Sequence, residues 1–436
     1  MVKPIESGKE SIFGRAQIQA IMRYYLLFFL LLAPLFFVFS QSKPAPSPQL
    51  ATAKKFKTLD SLLQSEVTGD KIPGAVIQVK KGKQVLFQKA YGLSQKYNTQ
   101  HQLLPNPEAT TLEHLYDLAS LTKVVGTTTG IMLLVDQKQI GLDDPVGKYI
   151  LAFDSSEKGK ITIRHLLSHS AGLREWYPLF YRASNKQETY RLIGELPLAF
   201  PVGKQRRYSD LGFVLLGQII EKVSKMPLEQ FLDQQVFKPL GMLQTTYNPL
   251  SKGGFSKIAA TSHGNPYEKR MVYDASLGFT VKDLDPKQWD GWRNYTLKGE
   301  VNDGNTWYAN GGVSGAAGLF STVGDLQKLV DMLQAKGKVG ERKFISAQTI
   351  EQFLTKDQFN NGLGWMMDSS NPVMKNAPAG TFAHTGFTGT SIVVVPQANL
   401  SVIVLINRQN MGLSGKGTYY DLGPLRQKVI TAVLKL

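Results

Sequence analysis

The sequence predicts an α+β fold, in which segments from both ends of the chain build a single sheet and a mainly helical region is inserted between them. Strand-like segments occur towards both ends, whereas longer apolar segments typical of helices occupy about residues 120–310. Of the 436 residues, 42% are hydrophobic and 19% charged, as in a globular protein with a sizeable core. We therefore expect one composite domain over 55–436, with its sheet built from 55–115 and 315–436.

The two halves of the sheet are predicted from separate strand patterns. Residues 72–93 indicate a hairpin, because apolar side chains alternate on both sides of a Lys-Gly turn. Near the end of the chain, apolar segments at 390–395 and 400–406 flank a polar turn at 396–399. A helix pattern from about 420 to 434 follows these strands.

The inserted region carries two apolar segments of helical length, 120–138 and 211–224. Ser120 is of a residue type that often caps the start of a helix, and Pro227 follows the second segment. These two segments are the predicted buried helices of the subdomain.

An apolar stretch at residues 24–39 follows Arg23. This stretch is short for a membrane span and has the length of a signal-peptide core. We expect residues 1–40 to be a signal peptide or an N-terminal membrane anchor, and 41–54 to be a Pro-rich linker. Either interpretation predicts a periplasmic or otherwise extracytoplasmic domain, secreted or tethered to the membrane.

The composition excludes several classes of function. The chain has no cysteine, which rules out disulfides, thiolate metal sites, cysteine nucleophiles and a cysteine-linked lipid anchor. The formal net charge is +16. Because the chain lacks a long basic run, a zinc finger or an aromatic RNA-binding motif, we expect no nucleic-acid partner. Association with an anionic membrane or cell wall fits the charge better.

The first candidate for chemistry is the pair Ser120 and Lys123, which share one face of a predicted helix. A serine hydroxyl needs a neighbouring base to act as a nucleophile. Lys123 can be that base if burial lowers its pKa from about 10.4 towards about 7. The same spacing recurs at 40–43 and 155–158, where no buried helix is predicted. Only Ser120 has a suitable context.

A second candidate is Tyr208-Ser209-Asp210, directly before a predicted helix. A tyrosine near a Ser-Lys pair can pass a proton to a leaving group. The alternative is a core tyrosine followed by an aspartate that caps the helix. A similar triplet at 308–310 lies in a Gly-rich region.

A third candidate is His384-Thr385-Gly386-Phe387, at the end of a predicted strand. Such a strand end can present a cation and backbone N–H groups to a carbonyl oxygen or carboxylate. The alternative is an ordinary strand-end turn at Gly386.

Other catalytic patterns are weak or missing. His165 and His169 have a spacing that can bind zinc, but the glutamate of a metalloprotease helix does not follow His165. The sequence contains no G-x-S-x-G nucleophile elbow and no dinucleotide or P-loop fingerprint.

Taken together and in this order, the three candidates resemble the active site of the serine β-lactamase and penicillin-binding protein superfamily. The resemblance is closest to the class C β-lactamase-like branch, which also holds D-alanyl-D-alanine carboxypeptidases and esterases. It extends over most of residues 55–435, and it implies a β-lactamase/transpeptidase-like fold with an antiparallel sheet flanked by helices, beside an inserted, mainly helical subdomain. The motifs that carry it are Leu118-Ala119-Ser120-Leu121-Thr122-Lys123, the 161–173 segment ITIRHLLSHSAGL, Tyr208-Ser209-Asp210, Pro239-Leu240-Gly241-Met242, Gly311-Gly312-Val313 and Gly362-Leu363-Gly364-Trp365.

The resemblance implies the roles of individual residues. Ser120 is the nucleophile that becomes acylated, and Lys123 and Tyr208 share the proton transfers. The backbone N–H groups of Ser120 and Phe387 form the oxyanion hole. The implied substrate-binding residues are Asp210, His384, Thr385 and Gly386. No metal or organic cofactor is implied.

Two residues depart from the pattern of the superfamily. Asp210 stands where an asparagine is usual, and an ionised carboxylate beside Lys123 opposes the use of that lysine as a base. His384 stands where a lysine is usual, and a mostly neutral imidazole attracts a substrate carboxylate less strongly. Both departures argue against efficient β-lactam hydrolysis.

The sequence thus predicts an exported serine hydrolase that acts through an acyl-enzyme on β-lactams, D-Ala-type peptides or small esters. Its expected partner is a small-molecule or peptidoglycan-type substrate, and we expect a monomer. The alternative is a non-catalytic sensor of the same fold, or a penicillin-binding protein that stalls after acylation.

Overall fold

The centre of the fold is a five-stranded antiparallel sheet with the strand order β2-β1-β10-β9-β8. The computed structural model describes residues 56–154 and 157–436, so the predicted leader 1–40 and linker 41–54 lie outside the described residues. The sheet strands are β1 Gly74–Lys81, β2 Gln84–Gly92, β8 Phe382–Thr385, β9 Ser391–Val395 and β10 Leu400–Ile406. The shorter strands are β3 Tyr116–Asp117, β4 Thr246–Tyr247, β5 Leu319–Ser321, β6 Lys338–Val339 and β7 Arg342–Lys343.

Pairing of β1 with β10 joins the two ends of the domain. Ala75 lies opposite Ile406 and Lys81 opposite Leu400, so the register holds along the whole of β1. The helical region between residues 93 and 382 is therefore inserted between two halves of one sheet. The α+β prediction is confirmed.

Both faces of the sheet are buried, and side chains alternate between them as strand geometry requires. Ile77 and Val79 face one hydrophobic cluster, which contains the first and last helices of the domain. Val76 faces the other, larger cluster, which contains the inserted helices. This double burial explains the almost continuous apolar runs in β1, β9 and β10.

The helices surround this sheet. In chain order they are α1 Lys57–Thr68, α2 Thr129–Asp136, α3 Ile163–Leu167, α4 Lys186–Glu195, α5 Asp210–Ser224, α6 Leu228–Leu232, α7 Pro249–Lys252, α8 Pro266–Tyr273, α9 Gly304–Asn310, α10 Val323–Gln334, α11 Ala347–Phe353 and α12 Gly423–Leu434. A π-helical turn, Lys123–Thr128, leads directly into α2. Across 56–154 and 157–436, no helix is long and apolar enough to span a membrane.

The helix that was predicted to begin at Ser120 begins later, with the π-helical turn that leads into α2. Ser120 lies in a turn before it and makes no side-chain capping bond to the helix. Its hydroxyl instead accepts a hydrogen bond from the side chain of Lys123. At α5 the capping residue is Ser209, whose hydroxyl accepts from the N–H of Gly212, which leaves the carboxylate of Asp210 available for another partner.

The side chain of Asn407 links the first residue of β1 to the loop that follows β2. Its Oδ1 accepts a hydrogen bond from the N–H of Gly74 (3.0 Å), and its Nδ2 donates to the carbonyls of Leu93 (3.2 Å) and Ser94 (2.8 Å). Asn407 is only 1% exposed, so water cannot replace these bonds.

We expect Asn407→Ala to lower the free energy of unfolding by about 1–3 kcal/mol, because buried backbone groups lose their partners. Chemical denaturation followed by circular dichroism measures the change. The control is Lys83→Ala, at an exposed residue in the β1–β2 turn, for which we expect a change within about 0.5 kcal/mol. Equal stability of the two variants would contradict this account of Asn407.

Candidate active site

The segment that carries Ser120 is held in a tight conformation between β3 and the π-helical turn. Ala119 has a φ of 45°, in the left-handed region that a residue with a Cβ rarely adopts. Oδ1 of the buried Asp117 accepts from the N–H of Ala119 (2.8 Å), and its Oδ2 accepts from the N–H of Asn302 (2.6 Å). Such strain persists where surrounding contacts enforce it, and it is frequent at active sites.

The turn between β8 and β9 packs directly against this segment. Thr388 donates to the carbonyl of Asp117 (2.6 Å), and Thr390 donates to that of Leu118 (3.1 Å). A Cβ on Gly386 would lie 2.3 Å from the same Leu118 carbonyl, so the approach requires glycine. These contacts bring Phe387 next to Ser120 in one cavity.

Two backbone N–H groups remain available at this junction. Those of Ser120 and Phe387 donate no hydrogen bond within residues 56–154 and 157–436. The Phe387 carbonyl is engaged, since it accepts from Nη2 (2.7 Å) and Nε (3.1 Å) of Arg408. Arg408 therefore fixes the peptide group between Phe387 and Thr388. The two N–H groups suit an oxyanion hole.

Lys123 is the buried centre of the site. Its Nζ donates to Oγ of Ser120 (3.1 Å) and to the carbonyl of Ala316 (2.8 Å), and it lies 2.7 Å from Oδ1 of Asp210. The side chain is 1% exposed. It belongs to the π-helical turn, a feature often found at functional sites.

The charges around Lys123 keep it protonated. Burial acts to lower its pKa, but the carboxylate of Asp210 and the hydroxyl of Tyr208 outweigh burial, so the pKa lies above its ordinary value. The lysine is thus an ammonium group at neutral pH in the free protein. The predicted opposition between Asp210 and a basic Lys123 is present in the geometry.

Tyr208 lies across the site from Ser120. Nζ of Lys123 is 5.1 Å from the centre of its ring. Burial raises the pKa of Tyr208, while the charge of Lys123 acts to lower it. Tyr208 and Ser120 line the same cavity beside Lys123, and the role of Tyr208 in proton transfer stays a prediction.

Sequence reasoning missed the part that His169 plays in placing Tyr208. The backbone carbonyl of His169 accepts from the N–H of Arg207, and its Nδ1 accepts from the N–H of Ser209 (3.0 Å). Its ring also packs against that of Tyr208, with ring centres 4.5 Å apart and the planes tilted by 31°. The 161–173 segment singled out this histidine as part of a family motif, but it did not indicate which residue the histidine contacts.

The zinc alternative receives no support from the geometry. His165 belongs to a capping box at the start of α3, where Nδ1 interacts with Thr162. Within the described residues, no group of three or more histidine, aspartate or glutamate side chains is arranged to hold a metal ion. The triplet at 308–310 lies in the helix α9. Its tyrosine hydroxyl accepts from the N–H of Arg293, and Nδ2 of Asn310 donates to the carbonyl of Asn305.

His384 is buried beside Tyr208, with ring centres 6.3 Å apart. Its Nδ1 lies 2.9 Å from the carbonyl of Thr385 and donates to it. Burial and the positive charge of Lys123 lower the pKa of His384 to about 3. The imidazole is therefore neutral at physiological pH, and the expected cation at this position is missing.

A cavity of about 310 Å³ contains most of the predicted site. Ser120, Lys123, Tyr208, Asp210 and Phe387 line it, whereas the lining does not include His384, Thr385 or Gly386. For these three residues, substrate binding stays a prediction. Lining residues that sequence reasoning did not single out are Glu175, Trp176, Asn265, Tyr267, Glu268, Met271, Phe279, Asn302, Asp303, Ala316, Ala317 and Tyr419.

Comparison with known proteins agrees with this geometry. The Beta-lactamase family model matches residues 59–422. The chain is 31% identical over 385 residues to a protein of Escherichia coli O157:H7 named "Putative D-alanyl-D-alanine carboxypeptidase", covering 83% of this chain and 85% of that one. It is 32% identical to a protein of the same name from Salmonella typhimurium LT2, covering 87% and 91%.

Solved structures share the fold at lower identity. A class C beta lactamase matches with a TM-score of 0.64 at 19% identity, covering 88% of this chain and 99% of that one. "EstCE1, a hydrolase with promiscuous acyltransferase activity" matches with a TM-score of 0.63 at 21% identity, with the same coverage. The fold and the Ser-Lys-Tyr cluster define a hydrolase of the serine β-lactamase and penicillin-binding protein superfamily. Within that superfamily, the chain belongs to the Beta-lactamase family.

The buried, neutral His384 leads to a prediction about pH. Because its pKa is about 3, we expect no change in its charge, and no step in KM for a carboxylate substrate, between about pH 5 and 8. Steady-state kinetics across this range should give the same KM profile for the wild type and for His384→Gln. The control is His101→Gln, at an exposed histidine. A rise in KM near pH 6–7 that only His384→Gln abolishes would contradict the neutral imidazole.

Proposed function

We propose that the protein is a serine hydrolase that works through an acyl-enzyme on Ser120. The observation that carries the proposal is the contact of 3.1 Å between Nζ of the buried Lys123 and Oγ of Ser120, in a cavity that two unengaged backbone N–H groups also face. Its substrate class is a β-lactam, a D-Ala-type peptide or a small ester.

In the proposed reaction, the Tyr208–Lys123 pair first loses one proton to solvent. Oγ of Ser120 then attacks the acyl carbonyl, and its proton passes to the deprotonated pair. The negative charge that develops on the carbonyl oxygen accepts hydrogen bonds from the N–H groups of Ser120 and Phe387. The pair then returns the proton to the leaving group, and water releases the acyl group in a second cycle of the same transfers.

The ion pair with Asp210 determines the proton balance of this reaction. A protonated Lys123 cannot accept the serine proton, but it stabilises negative charge on Oγ of Ser120 and on the Tyr208 hydroxyl. The carboxylate of Asp210, in place of the usual asparagine, thus raises the pH at which the Tyr208–Lys123 pair can act as a base.

The names of the curated relatives favour a D-Ala-type peptide, and the EstCE1 likeness shows the fold alone. We also propose that the protein acts outside the cytoplasm as a monomer, on peptidoglycan-type or small-molecule substrates, and without nucleic acid. The apolar stretch at 24–39 and the net charge of +16 support export and association with an anionic membrane or cell wall.

We expect Ser120→Ala to abolish acylation and to reduce turnover of every acyl substrate by about 10³-fold or more. Mass spectrometry after incubation with a fluorescent penicillin, and hydrolysis of a chromogenic ester, measure the two effects. The control is Ser155→Ala, at the serine of the 155–158 repeat of the spacing. Undiminished turnover in Ser120→Ala would exclude the proposed nucleophile.

The fate of the penicillin label distinguishes the substrate classes. Rapid loss of the label indicates β-lactam hydrolysis, and a permanent label indicates the alternative that stalls after acylation. Ester turnover without any label indicates an esterase.

We expect Asp210→Asn to move the alkaline-rising limb of the kcat/KM profile to lower pH. The carboxylate of Asp210 raises the pKa of both Lys123 and Tyr208, so its removal lowers the pKa of whichever group takes the proton. Kinetics with an uncharged ester from about pH 5 to 10 measure the limb, with Asp143→Asn at an exposed site as control. An unmoved limb, or a shift to higher pH, would contradict the role given to the ion pair.

A further inference from the structure

The lining of the active-site cavity is unusually acidic. Four carboxylates line it, those of Glu175, Asp210, Glu268 and Asp303, whereas Lys123 is the single cation among the lining residues of the described chain. This excess of acidic over basic side chains affects which charge on a substrate the cavity can accommodate.

Two of the four carboxylates are already paired. Asp210 forms the ion pair with Lys123, and Glu175 lies 3.7 Å from Nε of Arg207 at a half-exposed position. Within residues 56–154 and 157–436, neither Glu268 nor Asp303 forms an ion pair. These two carboxyl groups are therefore the ones at which a cation from a ligand could form an ion pair.

Glu268 has an unsatisfied oxygen. Its Oε2 accepts from the N–H of Gly304 (2.8 Å) and from Nδ2 of Asn265 (3.2 Å). Its Oε1 is buried, and no donor in the described part of the chain reaches it. An unpaired buried carboxylate oxygen is costly, and an ammonium group supplies the donor and the charge that it lacks.

Arg293 acts to lower the pKa of Glu268 but forms no ion pair with it. Arg293 is 7% exposed, and its guanidinium donates to Oδ1 of Asn265 and to the carbonyls of Val301 and Asn302. It lies 3.5 Å from Glu300. Arg293 thus supports the loop behind the cavity, and it moderates the negative charge of the wall without pairing with it.

The acidic wall and the nucleophile are joined through one residue. Asp117 accepts from the N–H of Ala119, next to Ser120, and from the N–H of Asn302, next to Asp303. The carboxylate of Asp303 in turn accepts from the N–H of Thr306 at the start of α9 (2.7 Å). The wall is therefore held in a defined position relative to the attacking hydroxyl.

A cluster of aromatic rings adds an independent feature that suits a cation. Tyr267, Phe387 and Tyr419 all line the cavity, with ring centres 5.2–6.1 Å apart. The faces of aromatic rings attract cations, most strongly where water is excluded. The guanidinium of Arg408 already lies 5.2 Å from the ring centre of Phe387 and 5.8 Å from that of Tyr419. The third ring, Tyr267, directly precedes Glu268 on α8, so this ring and the carboxylate are presented together.

The pKa values of Glu268 and Asp303 are also shifted in the direction that a bound cation would oppose. Burial raises the pKa of Glu268 well above its usual range, and the charge of Asp303 adds to the shift. Burial and the charge of Asp210 likewise raise the pKa of Asp303. Each carboxylate is thus destabilised by its surroundings, and a bound cation would relieve both.

We propose that the cavity selects acyl substrates that carry a primary ammonium group, which Glu268 and Asp303 bind while Ser120 attacks the carbonyl. This inference rests on the proposed function, because it names the substrate class of the same site. It also implies that a carboxylate on the substrate is disfavoured, since no free cation lines the cavity to receive it.

The test compares three 4-nitrophenyl esters of equal chain length, ending in an ammonium, a hydroxyl or a carboxylate group. We expect kcat/KM for the ammonium ester to exceed that for the hydroxyl ester by about tenfold or more, and the carboxylate ester to be the poorest. In Glu268→Gln and Asp303→Asn the ammonium-to-hydroxyl ratio should fall at least about fivefold. Glu113→Gln, at an exposed carboxylate, should keep the wild-type ratio.

The outcomes separate the two proposals. Ser120-dependent turnover with equal rates for the ammonium and hydroxyl esters overturns the ammonium site and leaves the serine hydrolase intact. Turnover of none of the esters counts against the proposed function.

In that second case, calorimetric titration still tests the ammonium site. We expect n-hexylammonium to bind the wild-type protein at least about fivefold more tightly than it binds Glu268→Gln, and more tightly than hexanol. Equal binding to both proteins, or none, overturns the site. Thermal unfolding of each variant shows that it is folded, and Asp303→Asn, which retains a capping residue for α9, serves if Glu268→Gln is not.

Discussion

The site is organised around one buried positive charge. An ammonium group at 1% exposure is stable only where other groups replace water around it, and Lys123 obtains these from Ser120, Asp210, Ala316 and the ring of Tyr208. The partners come from three segments of the chain, at Ser120, at Tyr208 and Asp210, and at Ala316. These segments must therefore be in place before the charge is satisfied, and the same contacts hold Lys123 against the hydroxyl of Ser120.

The sheet contributes the other half of the site. In the turn between β8 and β9, two threonines donate to the carbonyls of Asp117 and Leu118. Gly386 in the same turn permits this close approach. This junction brings Ser120 and Phe387 into the lining of one cavity, and their N–H groups donate no hydrogen bond within the described chain. Joining the sheet's two halves through β1 and β10 thus has a direct consequence for chemistry.

The lining of the cavity contrasts with the names of the curated relatives. They are named "Putative D-alanyl-D-alanine carboxypeptidase", yet here the residue expected to attract a terminal carboxylate is a neutral histidine, and Lys123 is the single cation among the lining residues of the described chain. An ammonium on the acyl portion of a peptide satisfies the wall without requiring a cation for the carboxylate. The departures at Asp210 and His384 are consistent with a site adapted to a different charge on its substrate.

The sequence by itself determined the fold class, the strands at both ends and the spacing of Ser120 and Lys123, because apolar periodicity and short spacings are local properties of the chain. Tyr208 was singled out through the family resemblance, since its own pattern fits a core tyrosine equally well. Only the tertiary structure decided the protonation of Lys123, the neutrality of His384, the support of Tyr208 by His169 and the acidic wall. These features depend on burial and on charges from segments up to about two hundred residues apart in sequence, as with Lys123 and Ala316. Such electrostatic interactions arise only when folding excludes water and brings distant side chains within a few ångströms of one another.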